Sequence, residues 1–138
     1  MNGYGLLFCA VGDASREQAR LLMLLISKLN ATRAWAVQPI QPVDETDDAS
    51  VSAPDDVPIR TLGGFLPLQQ GKVARDLDLA QLADVEFLVG ELAAFSASTS
   101  TELELELDGT YVGDIVDGKV SRLISEGLIG EWRKSLGG

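Results

Sequence analysis

Histidine is absent from the 138 residues, and cysteine occurs once. Without an imidazole there is no Ser-His or Cys-His nucleophile and base, and no His/Cys cluster for zinc. Cys9 has no partner for an intramolecular disulfide, and inside the apolar run 6–11 it reads as a buried, inert thiol. Long hydrophobic runs are missing too. The stretch 21–26 falls far short of the ~20 apolar residues that a membrane span requires. No lysine or arginine precedes Arg16, and Gly12-Asp13 breaks the first apolar run, so no export signal is read there and a cytoplasmic protein is expected. Glycine is plentiful but forms no phosphate loop. Gly3-x-Gly5 precedes the first predicted strand instead of following it, no Gly-x-x-x-x-Gly-Lys-Ser/Thr occurs, and no cofactor is expected. Aromatic residues make up only 6%, and Trp35 and Trp132 read as core members, not as stacking platforms for bases.

Basic residues are scarce where they would matter for nucleic acid. Between residues 41 and 118 there are 17 Asp and Glu against three cations, Arg60, Lys72 and Arg75, while each end of the chain is mildly basic. The net charge is −10. A field of one sign concentrated on one region attracts partners of the other sign and repels nucleic acid and anionic lipid. The expected partner is therefore a basic protein, with neither nucleic acid nor membrane.

The 46% hydrophobic content and the length fit one α+β domain spanning 1–138, large enough to bury a core without staples. Residues 4–11 read as a buried strand. Ser15 with Gln18 forms a capping box that opens a helix to about Leu29, with Asn30 as its stop. Ala19, Leu22, Met23, Ile26 and Leu29 form one stripe of that helix, but Leu21, Leu24 and Leu25 are apolar as well, so the chain is expected to cover it on nearly all sides. The alternation of Trp35 and Val37 with Ala34 and Ala36 predicts a second strand over 33–40, ended by Pro39 and Pro42. Residues 41–58 read as a polar acidic loop, and 59–68, interrupted by Gly63-Gly64 and Pro67, as an irregular edge strand. Leu82, Val85, Leu88, Val89, Leu92 and Phe95 recur at helical spacing, predicting a helix from Asp76 or Asp78 to about Ser96.

The clearest local pattern comes next. Leu103, Leu105 and Leu107 alternate with Glu102, Glu104 and Glu106, the period of a half-buried strand. Asp108-Gly109 supplies the turn to a partner strand over 110–116, and Asp117-Gly118 a second turn. A closing helix over 120–136 has Leu123, Ile124, Leu128, Trp132 and Leu136 as its expected inner face. The fold class is thus α+β: a mainly antiparallel sheet with three helices packed on it, and a C-terminal hairpin followed by a helix.

Two carboxylate groups are the candidate partner-binding residues: Asp44, Glu45, Asp47, Asp48, Asp55 and Asp56 in the loop, and Glu102, Glu104 and Glu106 on one strand face. Clustered carboxylates also suit calcium. An EF-hand register beginning at Asp44, however, puts Ala49 where the turn needs glycine and Asp55 where a bidentate glutamate is usual, so no metal site is assigned. Nothing fixes the separation of two carboxylates as a glycosidase requires.

The sequence 102–118, followed by Leu128-Ile-Gly-Glu-Trp132, resembles the ends of small acidic bacterial immunity proteins, the inhibitors encoded beside interbacterial toxins such as type VI effectors. The likeness covers about a quarter of the chain and carries no catalytic residue with it. It implies occlusion of the basic active-site cleft of one cognate secreted toxin, by a chain that is not an enzyme. A small carboxylate- and divalent-metal-dependent enzyme, or an oligomeric adaptor subunit, are the alternatives.

Overall fold

The computed structural model describes residues 3–12, 14–47 and 59–137. In chain order these form β1 (Gly5–Ala10), α1 (Arg16–Thr32), β2 (Gln41–Asp47), β3 (Ile59–Pro67), α2 (Arg75–Thr99), β4 (Leu103–Leu107), β5 (Thr110–Val116) and β6 (Lys119–Val120). A π-helical stretch, Leu123–Gly130, then runs into α3 (Glu131–Gly137). The six strands form one antiparallel sheet in the order β2-β3-β1-β4-β5-β6. β1 and β2 run parallel on either side of β3, joined by α1, and β3 and β4 flank β1, joined by α2. This is the interlocked split β-α-β arrangement of the βαββαβ type, extended by a hairpin. The expected α+β class, with a mainly antiparallel sheet and a helix after the hairpin, is what forms.

Period two sorts the sheet into unlike faces. Leu6 and Phe8 of β1, Leu103 and Leu105 of β4 and Ile115 of β5 are wholly buried, joined by Leu62 and Leu66 of β3. Against them pack Leu22, Ile26 and Leu29 of α1 and Leu82, Val85, Leu88 and Leu92 of α2, in one hydrophobic cluster. Each such side chain contributes roughly 1.5–3 kcal/mol on leaving water. The capping box is present: Gln18 N–H donates to Ser15 Oγ at 3.0 Å, and Ser15 N–H to Gln18 Oε1 at 2.8 Å. The predicted apolar stripe of α1 faces the core, but Leu24 stays 53% exposed, so that helix is covered on fewer sides than its composition suggests.

Several expectations are corrected. No strand forms over 33–40. Asp84 of α2 accepts the Ala36 N–H at 2.7 Å and the Arg33 guanidinium at 3.0 Å, and the Asn30 amide brackets both the N–H and the carbonyl of Ile40 at 2.9 Å. Side chains thus take the backbone groups that a ladder would need. Asn30 does this work from inside α1, which continues to Thr32 instead of stopping. The strand comes later: the first part of the supposed acidic loop is β2, an edge strand on which Pro42 is tolerable. The rest of that loop lies outside the described residues. β3 is consequently interior, not an edge, and its glycines serve close approach. A Cβ on Gly63 would overlap the Phe8 carbonyl, and one on Gly64 would sit 2.5 Å from the Phe8 ring.

In the closing helix the buried residues are Ile124, Ile129 and Leu136, whereas Leu123 is 56% exposed. Ile124 and Ile129 are five apart, the repeat that a π-helical i→i+5 ladder places on one face, and the Glu131 N–H reaches back to the Glu126 carbonyl in that register. A 3.6-residue reading selected Leu128 instead, which is half-buried.

Candidate functional site: the uncovered face of the sheet

The helices occupy one side of the sheet, and the other side, which no described helix covers, carries the charge. Register gives its layout row by row. Gln41, Phe65, Leu7, Glu106 and Tyr111 stand side by side from β2 to β5. The next row is Val43, Gly63, Cys9, Glu104 and Asp114. Beyond it lie Glu45 and Thr61 at one side, and Glu102, just before β4, at the other. Strands lie about 4.8 Å apart, so β2 and β4 are about 14 Å from each other across this surface. Val43 and Phe65 are 8% and 6% exposed, yet they stand apart from the hydrophobic cluster under the helices. With the half-buried Leu7 and Cys9 they form a small apolar centre on the uncovered face.

The hairpin aims its residues by an irregularity. Between Leu105 and Glu106 the register slips, leaving Val112 as the extra residue of a β-bulge with Gly113 at φ 135°. The bulge turns both Tyr111 and Asp114 to the uncovered face. Both turns are of the mirror-image kind, with Asp108 and Gly109 at φ 51° and 80° and Asp117 and Gly118 at 51° and 79°.

The negative field is felt by the neutral acids within it. Burial, followed by the charges of Glu106 and Glu104, pushes the Cys9 thiol up to about 11. The Tyr111 phenol is raised by desolvation and then by Asp114, Glu104 and Glu102. Tyr4, at the start of β1, is raised by burial and by Asp108 and Asp78. A thiol held protonated in this way is a poor nucleophile, in keeping with the inert reading of Cys9.

Of the residues singled out from sequence, Glu45, Glu102, Glu104 and Glu106 share this face, and Asp47 ends β2 opposite Ile59. Among the described residues, Glu45, Glu102, Glu104 and Glu106 make no ion pair, whereas Glu17, Asp84, Glu86, Glu126 and Glu131 elsewhere each hold a cation. Asp44 is set apart: it pairs with Leu62, so it belongs to the opposite side of β2. Asp48, Asp55 and Asp56 lie outside the described residues. The EF-hand register fails at its start, because residues 44–47 are extended and paired in β2. Among the described residues no group of three or more Asp, Glu or Cys is arranged to hold a metal ion. No described helix is long and apolar enough to cross a membrane.

Sequence reasoning missed Leu7, Val43, Phe65, Tyr111, Asp108 and Asp114 as members of this surface. The period-two phase of β1 and of β5 held the signal, but β1 is apolar on both faces and the bulge breaks the phase of β5. Comparison with protein-family models, with curated proteins and with solved structures gives no match to this chain.

Proposed function

We propose that the chain is a binding protein that neutralises a cognate secreted toxin, in the manner of an immunity protein, by laying the uncovered face of its sheet over the toxin's basic cleft. The supporting observation is the composition of that face: the half-buried Leu7 and Cys9 beside the buried Val43 and Phe65, bordered by the carboxylates of Glu45, Glu102, Glu104 and Glu106, which among the described residues hold no cation. An apolar middle with a polar rim is the anatomy of a protein interface. The rim charges accelerate encounter with a cationic cleft and reject anionic competitors, while the apolar middle holds the complex together. In this reading the carboxylates take the place of phosphates in a cleft built for nucleotides or nucleic acid. The test is protection of growth. Co-expression with a candidate toxic domain, sought among the neighbouring reading frames, is expected to restore growth, and Glu102→Gln/Glu104→Gln/Glu106→Gln to lose that protection while remaining folded. Protection that survives this triple change overturns the reading.

A second reading, the oligomeric adaptor, draws support from the exposed Leu24 beside a groove between α1 and α2. Sedimentation decides it: a monomer at micromolar concentration removes that support.

A further inference from the structure

The uncovered face is recessed at one point, where the β4–β5 turn passes the start of β1. Gly5, Leu7 and Phe65 give the recess its apolar lining, Glu106 and Asp108 its carboxylates, and its volume is about 250 Å³. Its existence follows from one missing side chain. A Cβ on Gly5 would come within 2.6 Å of Phe65 Cζ, so the ring lies across the glycine only because nothing stands there. The turn is pinned beside it, with the Asp108 N–H donating to the Gly5 carbonyl at 3.2 Å. Asp108 adopts φ 51° at the turn, and it and Glu106 both line the recess. Among the described residues, neither carboxylate is engaged by a cation.

We infer that this recess is the socket for a single arginine side chain of the basic partner. The inference rests on the proposed reading of the face as a binding surface and adds the anchor. Three features select arginine. Leu7 and Phe65 offer apolar surface to a long alkyl stem. The phenyl ring attracts a planar cation. Two acidic residues on one recess suit the fork of a guanidinium, which donates paired hydrogen bonds to carboxylates where an ammonium acts as a point charge. Buried arginines are over-represented among the residues that dominate binding energy, and a socket of this kind governs dissociation, whereas Glu45, Glu102 and Glu104 outside it govern encounter.

The experiment is an NMR titration of the ¹⁵N-labelled full chain with N-acetyl-arginine methylamide, using the lysine and the neutral citrulline analogues as controls. Arginine is expected to give saturable shifts confined to the amides of residues 3–7, 65 and 106–109, with lysine and citrulline weaker. Glu106→Gln/Asp108→Asn, which keeps a residue suited to the turn, lowers arginine affinity about fivefold, the upper range for an exposed ion pair. Phe65→Leu weakens it as well, and Glu86→Gln, on α2 and away from this face, leaves it unchanged. Shifts scattered over all surface carboxylates, equal binding of citrulline, or unaltered binding by the double variant overturns the socket. If the socket fails while Glu102→Gln/Glu104→Gln still loses the partner, only this inference falls; if arginine binds and that variant keeps the partner, the broader reading falls instead.

Discussion

Glu104 stands directly opposite Asp114 across the β4–β5 ladder, two like charges on the uncovered face with Cys9 on the other flank of Glu104. Directly opposed like charges destabilise a sheet, and among the described residues neither carboxylate is held in an ion pair. Glu104→Gln is therefore expected to raise stability by about 0.5 kcal/mol, within the range of cross-strand pairs. Added salt should stabilise the parent protein more than the variant, since screening relieves the same repulsion. Urea unfolding at low and at moderate ionic strength measures both; a variant less stable than the parent contradicts the assignment.

Asp84 carries a second expectation. It is 3% exposed and holds Arg33 at 2.9 Å while accepting the Ala36 N–H, and the Arg33 guanidinium lies 4.4 Å from the Phe87 ring centre. Asp84→Ala strands a part-buried cation and an amide together. The cost is expected to be about 2–3 kcal/mol, below the range for a fully buried pair because Arg33 keeps 27% exposure. Asp84→Asn retains an acceptor for Ala36 and should lose less. Equal losses in denaturant midpoints for the two variants would show that the charge carries the whole effect.

Glycines at two places should respond with opposite signs. Gly63→Ala drives a methyl group into the Phe8 carbonyl and is expected to cost about 3 kcal/mol, because backbone cannot move aside as a flexible side chain does. Gly90 lies inside α2 with open space around it, so Gly90→Ala gains about 1 kcal/mol from helix propensity. Thermal unfolding of the two variants orders them on either side of the parent.

Cys9 provides a pH test. In the fold the thiol is raised from 9.0 to about 11, first by burial and then by Glu106 and Glu104. The neutral form is the one the fold favours. Its contribution to stability is thus complete below pH 9 and is lost as the pH rises to about 11. Cys9→Ser removes that component of the alkaline loss. Alkylation by iodoacetamide should be slow at pH 8 and climb toward pH 11. Glu104→Gln/Glu106→Gln should shift the climb to lower pH, with burial keeping it above the free-thiol value.

What the sequence disclosed was what neighbouring residues decide among themselves. The leucine–glutamate alternation of β4, the Asp-Gly turns and the Ser15–Gln18 cap are local, and each formed where expected. β2 was illegible because Val43 is the sole apolar residue in a segment holding Pro42 and four acidic or amide side chains. Its strand character comes from pairing with β3, and through β3 with β1. The alternation at Trp35 and Val37 misled because Asp84, some fifty residues later, claims the backbone there. The candidate site divides in the same way. Glu102, Glu104 and Glu106 share a face by period alone, whereas the arrival of Glu45 on that face, and of Phe65 over Gly5, depends on register between strands distant in sequence.

The most direct test of the carboxylate face is the rate of association with the basic toxin domain proposed as its partner, followed by stopped flow at low and at physiological salt. The comparison sets Glu45→Gln/Glu102→Gln/Glu104→Gln against Glu86→Gln/Glu126→Gln/Glu131→Gln, which removes the same charge from residues ion-paired on the helices. The first variant is expected to associate about tenfold more slowly at low salt with a flattened salt dependence, and the second to change little. Equal slowing by both would mean that net charge alone steers the encounter, and no slowing by the first would mean that the partner binds elsewhere.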